Sequence, residues 1–196
     1  SLLIKDVSPL GNAMMRNSPL RISTLIITKD RYDSLARCLR SLINQTKKPD
    51  QVIIVDSSSQ RNLDVIDKFR KDLPITYIYE KKLGFGIARN TGIKRAKGDI
   101  LATIDDDGEA PIDWCENIIR AHLQNPKILA VQGRIISKPF TSPWALVEQI
   151  RMDRWFLNNI DRTGQIRTMS TKNVSFPVGL KPCAKFAAIG YQNRPR

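Results

Sequence analysis

The sequence predicts an α/β fold, a mostly parallel central sheet flanked by helices, and three observations predict it. Short β-branched runs alternate with segments of helical periodicity through most of the chain. The first two apolar runs enclose one helical stretch, the βαβ unit that joins parallel strands by a right-handed crossover. Polar and acidic residues close the strands, at the edge where open parallel sheets hold their ligands.

Residues 1–20 mix Pro9, Gly11, Asn12, Asn17 and Pro19 without periodicity and are expected to form an irregular leader. "RISTLIIT" (21–28) has the length and branching of a buried strand. In "DSLARCLRSLINQT" (33–46), Leu35, Leu39, Leu42 and Ile43 fall at helical spacing behind a capping Asp33 or Ser34. "QVIIVD" (51–56) is a second strand, "NLDVIDKFRKD" (62–72) a helix and "ITYIYE" (75–80) a third strand. "GIARNTGIKRAKG" (86–98) reads as a helix stopped by Gly98, and "DILATID" (99–105) as a fourth strand. Pro111 is expected at the first helical position of "PIDWCENIIRAHLQN", with Asn125 and Pro126 ending it. "ILAVQGRIIS" (128–137) is a further strand, "WALVEQIRMDRWFLNN" (144–159) an amphipathic helix, and "QIRTMSTKNVSF" (165–176) a strand pair or a strand and loop.

The 196 residues fit one domain, and 41% hydrophobic with 26% charged residues is a globular composition. No apolar run approaches the roughly 20 residues of a membrane span, and the first residues lack the features of a secretion signal. A cytoplasmic location, the inner membrane face included, is therefore expected. Cys38, Cys115 and Cys183 are too scattered for a disulfide framework or a metal cluster and are expected to be small core residues. The formal net charge of +13 favours anionic partners, but the basic residues are spread along the chain, which argues against a nucleic-acid-binding arm.

"LATIDDDGEAP" (101–111) sets three carboxylates side by side, an arrangement that demands cations nearby. Continued as an extended strand, it would turn Asp105 and Asp107 to one side and Asp106 to the other. Two such carboxylates suit a hard divalent cation, Mg²⁺ or Mn²⁺, that takes diphosphate oxygens as further ligands. The bland alternative is an acidic turn at the N-terminus of the following helix. No P-loop motif is present, and "GFGIAR" lacks the third glycine and the first-strand position of a dinucleotide fingerprint.

"STLIITKDRYDSLARCLRSLINQTKKPDQVIIVDSSS" followed by "GFGIARNTGIKRAKGDILATIDDDGEAPIDW" resembles the nucleotide-sugar-binding part of family 2 glycosyltransferases, which have the GT-A fold. The likeness runs over about residues 21–136 and rests on the ordered set of motifs, leaving 137–196 as a partial acceptor-side region. It implies a nucleotide-diphosphate sugar donor, a divalent cation and a saccharide or lipid-linked acceptor. It matches Thr28 and Arg31 to the loop around the nucleoside, Asp56 to the acid that hydrogen-bonds the base, and Gly84 and Arg89 to the segment near base and phosphates. Asp105 and Asp107 match the D-x-D acids at the ribose and metal, with Asp106 an equally acidic candidate. In chemical terms, a metal and the Arg89 guanidinium would stabilise the charge that develops on a departing diphosphate.

Inverting members of the family need a carboxylate base downstream of a segment like "TKNVSF" (171–176). Asn173 and Phe176 fit that segment, but residues 177–196 contain no Asp or Glu, and the last acid is Asp161. The chain is therefore expected to be a truncated or frameshifted piece of a longer enzyme, the rival being a donor-binding chain without efficient transfer. His122, the only histidine, is expected to be structural. In the helix 144–159, Trp144, Val147, Ile150 and Met152 face core, acceptor or a membrane surface, with Arg151 and Arg154 beside them and core packing the leading choice. A sugar-nucleotide pyrophosphorylase and a basic nucleic-acid-binding module are the remaining rivals.

Overall fold

A computed structural model describes residue 10 and residues 18–124, 128–136, 143–159 and 172–178. Four apolar runs form the parallel strands β1 (Ile22–Thr28), β2 (Gln51–Asp56), β3 (Ile75–Tyr79) and β4 (Ile100–Ile104). Two further strands, β5 (Val131–Gln132) and β6 (Asn173–Pro177), complete a six-stranded sheet of order β3-β2-β1-β4-β6-β5. β6 runs antiparallel to both β4 and β5.

β2 and β4 are buried along their whole length because helices cover both faces of the sheet. Strand alternation divides the core accordingly. Ile22, Ile26, Val52, Ile54, Ile100 and Ala102 face α1 (Tyr32–Ile43) and α4 (Trp114–Gln124), whose Leu35, Leu39, Leu42, Cys115 and Ile118 fill that layer. Leu25, Ile53, Val55 and Leu101 face the other way, against Ala88 of α3 (Phe85–Ile93) and Phe176 of β6. Each fully buried leucine or isoleucine contributes about 1.5–3 kcal/mol. α3 approaches β1 closely at Gly92, where an added Cβ would collide with the Leu25 side chain. Leu10 and Leu20 of the expected leader belong to the first core layer.

The sheet places the ligand edge. Register pairs Thr28 with Asp56 and Asp56 with Tyr79, so three strands end level. The Leu25 to Thr103 pairing, carried three residues on, sets Thr28 beside Asp106. β1 is followed by β2 on one side and β4 lies on the other, so the chain reverses its direction of progress between β1 and β4. Crevices form at such switch points.

Several elements are shorter than expected. The helix expected over 86–98 ends at Ile93. Beyond it Gln51 binds both the Arg95 carbonyl and the Lys97 N–H, and Ser23 accepts the Gly98 N–H, tying this segment to β1 and β2. The helix expected over 62–72 is α2 (Leu63–Asp67), followed by turns in which Phe69 and Arg70 N–H groups bond three residues back. Pro111 is not the first residue of α4. Its carbonyl accepts from Trp114 N–H and from Gln45 Nε2, so 111–113 form a turn and the helix starts at Trp114. α1 is capped by Arg31 without a side-chain bond, not by Asp33 or Ser34. Of residues 128–137, only Val131–Gln132 pair as a strand. Cys38 and Cys115 are buried free thiols, and burial pushes Cys115 up to about 12. Cys183, Asn125, Pro126 and residues 165–171 lie outside the described residues.

Candidate active site

The three acids do not continue β4. The strand stops at Ile104, and the Gly108 N–H returns to the Asp105 carbonyl at 3.0 Å, making a turn of Asp105–Gly108. The expected alternation, with Asp105 and Asp107 paired and Asp106 opposed, is thereby replaced. Asp106 and Asp107 share one cation instead, because Arg31 places Nη1 3.0 Å from Asp106 Oδ1 and Nη2 2.7 Å from Asp107 Oδ2. The Asp106 side chain is 5% exposed and that of Asp107 51%. Thr28 Oγ1 donates to Asp106 Oδ2 at 2.8 Å, so one oxygen of the buried carboxylate is hydrogen-bonded and the other is ion-paired with Arg31.

Burial still lifts the Asp106 carboxyl above the usual range, against the pull of Thr28 and Arg31. Burial raises Asp105 as well, opposed by Lys172 and Arg89 and reinforced by Asp107. Burial lowers Arg89, which Asp105 partly offsets. The hydrogen bond to Asp107, followed by the charge of Asp106, raises Arg31. The cations demanded by the acidic run are thus partly the protein's own: Arg31 in direct contact, and Lys172 and Arg89 through their charges.

Local backbone prepares this arrangement. Asp30 has a positive φ of 54°, stabilised where its carboxylate accepts from both N–H and Oγ of Ser59 and its own N–H donates to Ser58 Oγ. This pins the loop after β1 to the loop after β2 and holds Arg31 at the mouth of α1. Gly84, with φ 139°, supplies the backbone conformation that starts α3, and its carbonyl accepts the Ala88 N–H.

Asp56 closes β2 at the strand-end edge. It is fully buried, Oδ2 accepting from Tyr32 at 2.7 Å and Tyr77 at 2.8 Å and Oδ1 from the Ser58 N–H at 2.8 Å. It does not line the crevice. Burial, then the bond to Asp56, pushes the Tyr77 hydroxyl far above its usual value, so it remains a donor.

The crevice between the strand ends is a cleft of about 340 Å³ lined by Ile27, Thr28, Lys29, Arg31, Ser57, Leu83, Gly84, Phe85 and Asp106. Of the residues expected to bind the donor, Thr28, Arg31, Gly84 and Asp106 meet there. Asp105 and Arg89 interact through their charges and are not among its lining residues, and Asp107 joins through Arg31. Lys29, Ser57, Phe85 and Lys172 were not singled out from the sequence. Ser57 follows Asp56 directly and Lys172 lies inside "TKNVSF", so both were adjacent to recognised motifs.

Among the described residues no three acid, histidine or cysteine side chains converge on one point. One or two carboxylates of 105–107, completed by water and diphosphate oxygens, are an all-oxygen set that fits Mg²⁺ or Mn²⁺. His122 is not catalytic in position. It is fully buried with Nε2 3.1 Å from Ser175 Oγ, and burial pushes it down to about 4.

A cleft at the switch point of an α/β sheet is where such sheets hold their ligands, and comparison gives the family. The sequence matches Glycosyl transferase family 2 over residues 23–181. The chain belongs to that family, and its fold is GT-A. Relatives include the glucosyl-dolichyl phosphate glucuronosyltransferase of Haloferax volcanii, 26% identical over 60% of this chain and 39% of that protein. The putative glycosyltransferase EpsH of Bacillus subtilis is 34% identical over 50% of this chain and 29% of EpsH. The matches thus span well under two thirds of those relatives. Similar folds are S. aureus TarS, with TM-score 0.64, 18% identity and coverage of 83% of this chain and 48% of that one, and the mannosyltransferase PcManGT of Pyrobaculum calidifontis in complex with GDP-Man and Mn²⁺, with TM-score 0.60, 17% identity and coverage of 87% and 52%.

The helix α5 (Pro143–Asn159) does not pack as a core helix: only Gln149 is buried, and Trp144 is 81% exposed, with Leu146, Val147, Ile150 and Leu157 also exposed. Arg151 binds Glu148, and Arg134 grips Asp153 through two bonds of 2.8 and 3.0 Å. Among the described residues no helix is long and apolar enough to cross a membrane.

Proposed function

We propose that this chain binds a nucleotide-diphosphate sugar at the strand-end cleft, with Mn²⁺ or Mg²⁺, as the donor half of an enzyme that transfers the sugar with inversion to a saccharide or lipid-linked acceptor. The observation that carries the reading is the meeting of Thr28, Arg31, Gly84 and Asp106 around one cleft at the switch point, from three separate stretches of sequence. In this reading Asp105 and Asp107 hold the cation, which supplies positive charge at the diphosphate. Arg31 and Arg89 are the protein's own charges at the same place, and they gain most as negative charge builds on the leaving oxygen. Asp106, buried and bonded by Thr28, orients the turn and the ribose side of the cleft.

Family membership and the GDP-Man and Mn²⁺ bound to PcManGT support a nucleotide-sugar donor and a divalent cation. The transfer step needs a base, and none is assigned here because residues 177–196 carry no acid. Donor binding is therefore what these residues carry. Calorimetric titration with UDP and GDP, with and without Mn²⁺, tests it in the wild type and in Asp105→Ala/Asp107→Ala. Metal-dependent binding that the double variant loses supports the proposal, and a metal-indifferent affinity retained by the variant refutes it.

The exposed apolar residues of α5 favour a second reading, in which that helix meets a lipid-linked acceptor at the membrane face. Its Glu148, Arg151, Asp153 and Arg154 cancel in formal charge, so attachment would rest on apolar contact. Co-sedimentation with neutral vesicles, lost in Trp144→Ser/Ile150→Ser, would support it.

A further inference from the structure

The acidic turn is held from two directions. On one side, Thr28 and Arg31 fix the carboxylates of Asp106 and Asp107. Among the described residues no hydrogen bond or ion pair holds the carboxylate of Asp105, on which Lys172 and Arg89 act through their charges. Asp105 follows Ile104 directly, so its place depends on how the end of β4 is fixed. Ile104 pairs with Asn173, the first residue of β6.

Asn173 also reaches the far end of the turn. Its Oδ1 accepts from Trp114 Nε1 at 3.0 Å, and Trp114 is the buried first residue of α4. Its Nδ2 donates to the Arg134 carbonyl at 3.4 Å. An indole N–H only donates and a peptide carbonyl only accepts, so the side chain between them must present an acceptor and a donor together. An amide does so, and an ionised carboxylate or a hydrocarbon of the same shape does not. The Asn173 carbonyl takes two further donors, the Gly133 N–H at 2.9 Å and Gln132 Nε2 at 2.6 Å. A Cβ at Gly133 would collide with the Asn173 side chain, so the chain leaving β5 lies close against it. One residue of the antiparallel strand thus joins the residue before the acidic run to the first helical residue after it.

We propose, on the strength of the donor-binding reading above, that Asn173 is a positioning residue of the donor site. By tying the end of β4 to the start of α4 it sets the place of Asp105, the cation ligand in that reading. Removing a group that orients a metal-ligating side chain typically weakens metal binding about 10–100-fold.

Calorimetric titration of UDP and GDP, each with and without Mn²⁺, against wild type, Asn173→Ala, Trp114→Phe and the double variant tests this. Trp114→Phe keeps an aromatic ring in the core and removes the N–H, so it cuts the same bond from the other side. Each single variant is expected to weaken Mn²⁺-dependent nucleotide binding about tenfold and to leave metal-free binding unchanged. The double variant should lose no more than the worse single one, because both remove one shared interaction. Ser175→Ala is the control: it lies on the same strand and removes a 3.1 Å bond to His122 of the same helix, away from both ends of the turn. It should lower the melting temperature and leave Mn²⁺-dependent affinity unchanged, which separates positioning from a general loosening of β6. Should Asn173→Ala fail to fold, Trp114→Phe decides. Unchanged Mn²⁺-dependent affinity in folded Trp114→Phe, an equal loss without metal, or an equal loss in Ser175→Ala overturns the assignment of Asn173. Failure of the folded wild type to bind either nucleotide overturns the donor-binding reading itself and this proposal with it.

Discussion

Replacing Arg31 by glutamine removes the only cation that touches both Asp106 and Asp107 among the described residues. The ion pair with Asp106 joins a half-exposed guanidinium to a carboxylate that is 5% exposed, and its loss leaves that buried charge with one partner fewer, at a cost of about 1–3 kcal/mol. The bond to Asp107 is exposed on both sides and adds about 0.2–1 kcal/mol after solvent screening. A net loss of about 2 kcal/mol at pH 7 follows, or roughly 4–8 °C in melting temperature for a domain of this size. The sign with pH is fixed by Asp106. Burial raises its folded-state carboxyl above the unfolded value, and losing Arg31 raises it further. A carboxylate raised on folding contributes stability that is present at acid pH and lost as pH rises through the folded-state value. Arg31→Gln should therefore cost clearly more at pH 7 than at pH 4. Circular dichroism melts in EDTA at both pH values measure this. Equal losses at the two pH values, or no loss at pH 7, would refute the coupling of Arg31 to a buried ionised Asp106.

His122 is depressed to about 4 by burial, so between pH 6.5 and 4 the unfolded chain takes a proton that the folded chain refuses. Its contribution, about 3 kcal/mol, is complete above pH 6.5 and lost on acidification through that window. Urea unfolding from pH 7 to 4.5 should show a steeper acid loss in wild type than in His122→Gln. Gly92→Ala forces a methyl into the fully buried Leu25 side chain and should destabilise by about 1–3 kcal/mol in the same urea assay.

How much of this was legible in the sequence depended on whether the deciding contacts were local. β1, β2 and β4 were readable because burial on both faces makes each a largely apolar, β-branched run, and the half-buried edge strand β3 was readable from its β-branched and aromatic residues. Their parallel order followed from the helices between them. Element ends were less readable, since long-range side chains set them: Gln51 and Ser23 stop α3, and Gln45 holds the turn before α4. The acidic turn was found by composition, but its geometry was misread. Strand alternation does not survive the Gly108 turn, and the pairing of Arg31 with Asp106 spans 75 positions of sequence. Asp56 was recognised as important without its tyrosine partners, which lie 24 and 21 residues away.

The central claim is that a nucleoside diphosphate binds between the ends of β1, β2 and β4. The most direct measurement is the backbone amide NMR spectrum of the chain titrated with UDP and GDP in the presence of Mg²⁺. Binding as described shifts Thr28 to Arg31, Ser57, Gly84, Phe85 and Asp105 to Gly108 together. Shifts confined to the groove of Arg37, Arg40 and Asn44 on the far end of α1, or no shifts at saturating nucleotide, would contradict it.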